Sequence, residues 1–143
     1  METLVWTDLE LLGRVGLAMF LAAFIGWERE RSDHPAGLRT HILVAAAAAT
    51  ATSMWDAVVV ASLERFEPAA LDMVEIDPIR SMQAVLVGIG FLGAGTIVVH
   101  RHRHRVRGLT TAASIFATAA IGCAAGLQRY VLATGTTVLL LIV

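Results

Sequence analysis

Charged side chains are few in this 143-residue chain, and most gather into short clusters. The first reads Glu28-Arg29-Glu30-Arg31-Ser32-Asp33-His34-Pro35-Ala36-Gly37-Leu38-Arg39-Thr40-His41. Glu28, Arg29 and Arg39 border long apolar runs, where partly desolvated charges tend to pair. A structural ion pair between Glu28 and Arg39 is the expected chemistry, with contact to an ion or a partner as the alternative. A second cluster, Asp77-Pro78-Ile79-Arg80, has the form of a helix start. Asp77 can accept from first-turn amides, and Pro78 suits the first helical position, which needs no amide hydrogen. Arg80 has no such reason to be there, because a cation is unfavourable at a helix N-terminus. It calls for a partner, either Asp77 or another acidic group on the same side.

The third cluster alternates His100-Arg101-His102-Arg103-His104-Arg105 and continues to Arg107. Histidines two apart can share a metal on an extended chain, but the interleaved arginines would repel a divalent cation, and no carboxylate lies nearby. A basic loop against anionic headgroups is the expectation, with some pH sensitivity from the histidines. Thr110 and Thr111 follow Arg107-Gly108-Leu109, where side-chain oxygens can cap a helix. No nucleophile elbow, phosphate loop or His-Glu-x-x-His pattern is present. The single Cys123 sits inside an apolar run, expected buried and inert. The expectation is a non-enzyme with no catalytic, cofactor or metal residue and no nucleic-acid partner.

The elements that must position these clusters are apolar. Hydrophobic residues make up 57% of the chain, charged residues 16%, and mean hydropathy is +0.70. Counting the 12 glycines raises the apolar share to about 65%, against roughly 45–50% for soluble domains. A spanning helix needs about 20 such residues. Apolar runs over about 9–27, 40–58, 81–99 and 108–127 qualify, and 130–143 is a shorter fifth. The fold class is therefore an all-α polytopic transmembrane bundle of four to five spans in a single domain. Arg14 lies near a helix end, from which it can snorkel to the interface, and Asp56 near the far end of the second span. Thr7 and Glu10 have capping-box spacing, which starts the first helix there. Glu2, Asp8 and Glu10 make the N-terminus acidic, unlike a signal peptide. Arginines concentrate in the loops near 28–40 and 100–107, which puts both in the cytoplasm and the N-terminus outside.

Helices in lipid associate where small residues recur every fourth position. Ala18, Ala22 and Gly26 form one such row, and Ser114, Thr118, Gly122 and Gly126 another. The third segment has Ala84 with Gly88, and Gly90 with Ala94. Gly88, Gly90, Gly93 and Gly95 together exceed the usual needs of packing. A glycine-lined crossing under a close neighbouring helix is the expectation, and a broken or kinked helix exposing carbonyls to a ligand or ion is the alternative.

As a set, Gly26-Trp27-Glu28-Arg29-Glu30, Pro35-Ala36-Gly37-Leu38-Arg39-Thr40-His41, Asp77-Pro78-Ile79-Arg80, Gly88-Ile89-Gly90-Phe91-Leu92-Gly93-Ala94-Gly95 and Val106-Arg107-Gly108-Leu109-Thr110-Thr111-Ala112-Ala113 closely resemble the MgtC/SapB family of bacterial inner-membrane proteins. The likeness runs from about Gly16 to Gly126. It implies an inner-membrane protein of about five spans, and a virulence-associated regulator that supports growth at low magnesium and under host stress. It further implies action by contact with other membrane proteins, notably the proton-conducting sector of ATP synthase, rather than by magnesium transport. Longer members carry a soluble domain after the last span, so the chain reads as a short form. The lipid bilayer, another membrane protein and a second copy of the chain are the expected partners. A small magnesium or proton transporter or channel is the alternative.

Overall fold

The computed structural model describes residues 2–65, 78–100 and 105–142. Five helices follow one another: α1 (Glu2–Arg31), α2 (Leu38–Arg65), α3 (Pro78–Thr96), α4 (Leu109–Gly126) and α5 (Tyr130–Ile142). The all-α reading holds, and three stretches are long and apolar enough to cross a membrane: Thr7–Arg31, Leu38–Ala61 and Leu109–Gly126. Met82–Thr96 and Tyr130–Ile142 are shorter apolar helices. α1, α3 and α5 run one way and α2 and α4 the other, so the α1–α2 loop, the start of α4 and the end of α5 share one end of the bundle.

Two sequence expectations about boundaries change. The first helix begins at Glu2, so Thr7 lies within it and is no N-cap. The third segment stops being helical at Thr96, and Val98–His100 forms a strand, β1, paired antiparallel with β2 (Arg105–Arg107). The β-branched run Thr96-Ile97-Val98-Val99 favours the extended form. Val99 faces Val106 and Val98 faces Arg107 in register. The basic connection is therefore partly a short ribbon rather than a loop throughout; His102 and His104 lie outside the described residues.

Gly108 closes this ribbon onto α4. Its φ of 89° is left-handed, and a Cβ there would run into the carbonyl of Thr96. Only glycine meets both conditions. Gly108 is also the N-cap of α4, without any side-chain cap, so the expected capping by Thr110 or Thr111 does not occur. Gly108→Ala is expected to lower stability by about 2 kcal/mol through backbone strain, read as a lower unfolding midpoint in detergent or bicelles.

The core lies among α1, α2 and α4. Ala18, Leu21, Ala22 and Ile25 of α1 meet Ala45 and Ala49 of α2 and Ile121 and Ala125 of α4. A second cluster joins Val44 and Ala48 to Ile115, Ala119 and Cys123, with Val85 and Ile89 of α3 against it. Two of the small-residue rows make this approach possible. A Cβ on Gly26 would lie 2.7 Å from the Cα of Leu38, and one on Gly122 would lie 2.6 Å from the carbonyl oxygen of Ala45. Backbone thus meets backbone, the close contact that small residues permit in lipid.

The glycine-rich third segment behaves differently from either expectation. α3 is one unbroken helix, which removes the broken form of the alternative. Yet Gly88, Gly90 and Gly95 have nothing within 4 Å of where a side chain would begin, so they do not line an internal crossing. Gly93 alone packs in ordinary contact, against Ala112 of α4. Gly88 and Gly95 lie on an open face together with Val87 and with Phe91, which is 83% exposed, and Gly90 is open on another side of the helix.

Candidate functional site

At the α1–α2 loop end, the close approach of three helices assembles several of the sequence candidates. Glu28 and Arg29 close α1, Thr110 and Ser114 lie in the first turns of α4, and Leu140 and Leu141 end α5. Together with Ile25, Ala113 and Ala117 they line a cavity of about 170 Å³. The charged pair stands at its rim. Arg29 Nε lies 3.0 Å from Glu28 Oε2, and Ser32 donates to Glu28 Oε1 at 3.1 Å. The Arg29 Nε–H is buried and misaligned for a hydrogen bond with that carboxylate, which leaves it without a hydrogen-bond partner.

The expected Glu28–Arg39 ion pair does not form. Glu28 is held by its neighbour and by Ser32 one turn on, while Arg39 is exposed and makes no ion pair among the described residues. The adjacent carboxylate has the role the sequence reading missed. Glu30 Oε2 accepts from the amide of Leu38 at 2.8 Å and so caps α2 from eight residues away. Gly37 permits the approach, because a Cβ there would lie 2.7 Å from Glu30 Oε2. The Pro-Ala-Gly turn thus brings an α1 carboxylate to the start of α2.

Behind the cavity wall lies His41, with no exposed surface. Its Nδ1 is 2.8 Å from the carbonyl of Gly37, and its Nε2 is 3.2 Å from Ser114 Oγ. Ser114 Oγ is in turn 2.9 Å from the carbonyl of Thr111. Thr110 is exposed on α4 beside this chain of polar groups.

At the opposite end is a polar centre that sequence reasoning passed over. Arg14 is only 6% exposed and turns inward among the helices. Its Nη1 donates to Asp56 Oδ2 at 2.7 Å and to the carbonyl of Gly126 at 3.1 Å, and its Nη2 to Glu10 Oε1 at 3.0 Å. Three helices are tied there by one guanidinium. Ser53 adds a bond to the Gly126 carbonyl, Thr52 reaches the Cys123 carbonyl, and Gln128 reaches Asp56. Arg14 and Ser53 thus share the Gly126 carbonyl at the α4 C-terminus, where a helix leaves carbonyls without intrahelical partners, while the Cys123 carbonyl also accepts from the Leu127 amide. A lone Arg and a lone Asp in neighbouring apolar runs were the available signal, since opposite charges inside a membrane seek one another.

The remaining candidates do not join either centre. Arg80 is exposed on α3 without an ion pair among the described residues, and Asp77 lies outside them. Arg107 is exposed in β2 opposite Val98. Gly88 and Gly95 belong to an open face of α3, Gly90 is open on another side, and Gly93 packs against α4.

The sequence matches the model of the MgtC family over residues 15–143. The chain belongs to the MgtC family. Among its relatives, the Escherichia coli K12 protein named "Putative magnesium transporter YhiD" is 37% identical over 134 residues, 94% of this chain and 59% of that protein. Protein MgtC of Salmonella typhimurium LT2 is 39% identical over 124 residues, 87% of this chain and 46% of that protein. Protein SapB of Bacillus subtilis is 30% identical over 125 residues, 87% of this chain and 51% of that protein. The chain spans about half the length of the curated relatives it matches. No solved structure matches it. In this MgtC-family chain, the blocks that carry the likeness fall largely on close approaches: Gly26 on Leu38, Gly37 on Glu30 and Gly108 on Thr96.

Proposed function

We propose that this MgtC-family membrane protein is a regulator that acts by contact, within the bilayer, with another membrane protein. The observation that carries the reading is the open glycine face of α3. Glycine costs about 1 kcal/mol in a helix interior relative to alanine, so two of them on one open face need a reason. A partner helix resting on Gly88 and Gly95 supplies one, because backbones in lipid associate where side chains are smallest. The family likeness points to the membrane sector of ATP synthase as that partner, in adaptation to low magnesium or host stress. The arginine-rich α1–α2 loop and ribbon favour the cytoplasmic side of an inner membrane.

Transport of magnesium or protons is the second reading, favoured by the rim-charged cavity at Glu28 and by the name of the YhiD relative. Against it stands the scarcity of carboxylates to replace water around a divalent ion. The two readings separate in liposomes. The regulator carries no magnesium or proton flux, and a photocrosslinker at Phe91 reaches the reconstituted membrane sector of ATP synthase. The contact is lost in Gly88→Leu/Gly95→Leu while thermal unfolding stays within about 1 kcal/mol of the parent. Robust flux that disappears in Glu28→Gln would establish transport instead.

A further inference from the structure

His41 is buried, titratable and unused by a contact-based regulator, and its surroundings define what it can do. The Gly37 carbonyl only accepts hydrogen bonds, so the nitrogen 2.8 Å from it, Nδ1, must carry a proton in every state of the ring. The variable position is Nε2, and it faces a hydroxyl. Ser114 can donate its hydrogen to a bare Nε2, leaving the Thr111 carbonyl to the helix. It can equally accept from a protonated Nε2 and donate to the Thr111 carbonyl 2.9 Å away. Neutral imidazole and imidazolium are thus both hydrogen-bonded by the same heavy atoms in the same places. A merely structural histidine needs only one of these arrangements.

The charged groups that act on the ring are of both signs. From α1 come Glu28 and Arg29, of opposite sign. α4 presents the hydroxyl of Ser114, and no charged residue occurs along it. On α2 itself the nearest charge in sequence is the exposed Arg39. Access is provided by the cavity of about 170 Å³, which has Ser114 on its wall and the half-exposed Glu28 at its rim. Its walls are mainly apolar, and water in that volume finds polar partners in Glu28, Arg29, Thr110 and Ser114 on the lining.

We propose that His41 Nε2 is a proton-binding site, reached through Ser114 and the Glu28-rimmed cavity from the α1–α2 loop end of the bundle. The proton arrives from water and lodges on Nε2. The hydroxyl of Ser114 turns from donor to acceptor as it does so, and no helix has to move. The added charge is then held where α1, α2 and α4 meet, by the same heavy atoms that hold the neutral ring.

The test is nitrogen-15 NMR of histidine-labelled full chain in lipid nanodiscs, with His41 assigned by its loss in His41→Gln. Nδ1 is expected to remain protonated throughout, while Nε2 passes from acceptor to donor between about pH 4 and pH 9. A neutral ring protonated on Nε2, or no change across that range, overturns the proposal. Ala117→Leu fills part of the cavity without touching His41. It is expected to slow exchange of the Nε2 proton with water about tenfold and leave the midpoint in place. Exchange as fast as in the parent overturns the path, and a retained protonated Nδ1 reports that the variant is folded.

Discussion

Gly122→Ala is expected to destabilise the bundle by about 3 kcal/mol, at the upper end of overpacking costs, although it adds one methyl group and raises helix propensity. The new Cβ would lie 2.6 Å from the Ala45 carbonyl oxygen, 2.9 Å from Ala48 Cβ and 3.1 Å from Ala45 Cα. Two of those atoms are helix backbone, which cannot swing aside as a long side chain would. α2 has to retreat from α4, and the Thr52 and Ser53 bonds to the α4 C-terminus lengthen with it. The same change at Gly88 meets nothing within 4 Å and is expected to be neutral or to stabilise by up to about 1 kcal/mol. Unfolding midpoints of the two variants in bicelles, measured side by side, test the assignment of the two glycine faces. A Gly122→Ala protein as stable as the parent would refute the close α2–α4 approach.

Asp56→Ala carries the second large effect, a loss of about 3 kcal/mol. The cost arises mainly from what the substitution leaves behind. Arg14 stays buried and charged, with its Nε already lacking a partner. Glu10 still accepts from Nη2, but that carboxylate is 62% exposed and partly hydrated. Arg14→Met is expected to cost less, because Asp56 is 32% exposed and can recover water once the guanidinium is gone. Adding Arg14→Met to Asp56→Ala should therefore restore part of the lost stability. A double-mutant cycle on the unfolding free energy is expected to give a coupling of about 1–3 kcal/mol. Strictly additive losses would mean that the pair does not interact.

These two sites differ in how far they could be read beforehand. Gly122 and Gly126 stand in a row with Ser114 and Thr118, and a four-residue period of small residues already indicates a face that another helix approaches. In α3 the pairs Ala84 with Gly88 and Gly90 with Ala94 have the same spacing, and in this chain both glycines face outward. Periodicity reports that a face is suited to close approach, and it is silent on whether the chain supplies the approaching helix. Arg14 and Asp56 were each explicable as charges near a helix end. Only the crossing of α1 and α2, with the C-terminus of α4 beside them, turns two interfacial charges into one buried bridge.

Local pattern was sufficient where physics acts over a few residues. Apolar length set the helices, Pro78 began α3, and the arginine-rich connections and family blocks marked the chain as an MgtC-family membrane protein. Capping and pairing among near neighbours were less secure. Glu30 rather than Glu28 serves α2, because the Pro35-Ala36-Gly37 turn decides which carboxylate can reach the Leu38 amide. The contacts with the largest energies join residues 42 to 112 positions apart, such as Arg14 with Asp56 and Gly126. Sequence determined the class of this protein and the small residues available for close packing, since both follow from transfer of side chains into lipid. Tertiary structure alone decided which glycines are occupied, where the buried arginine finds its acid, and that His41 meets Ser114, because each depends on how distant helices cross.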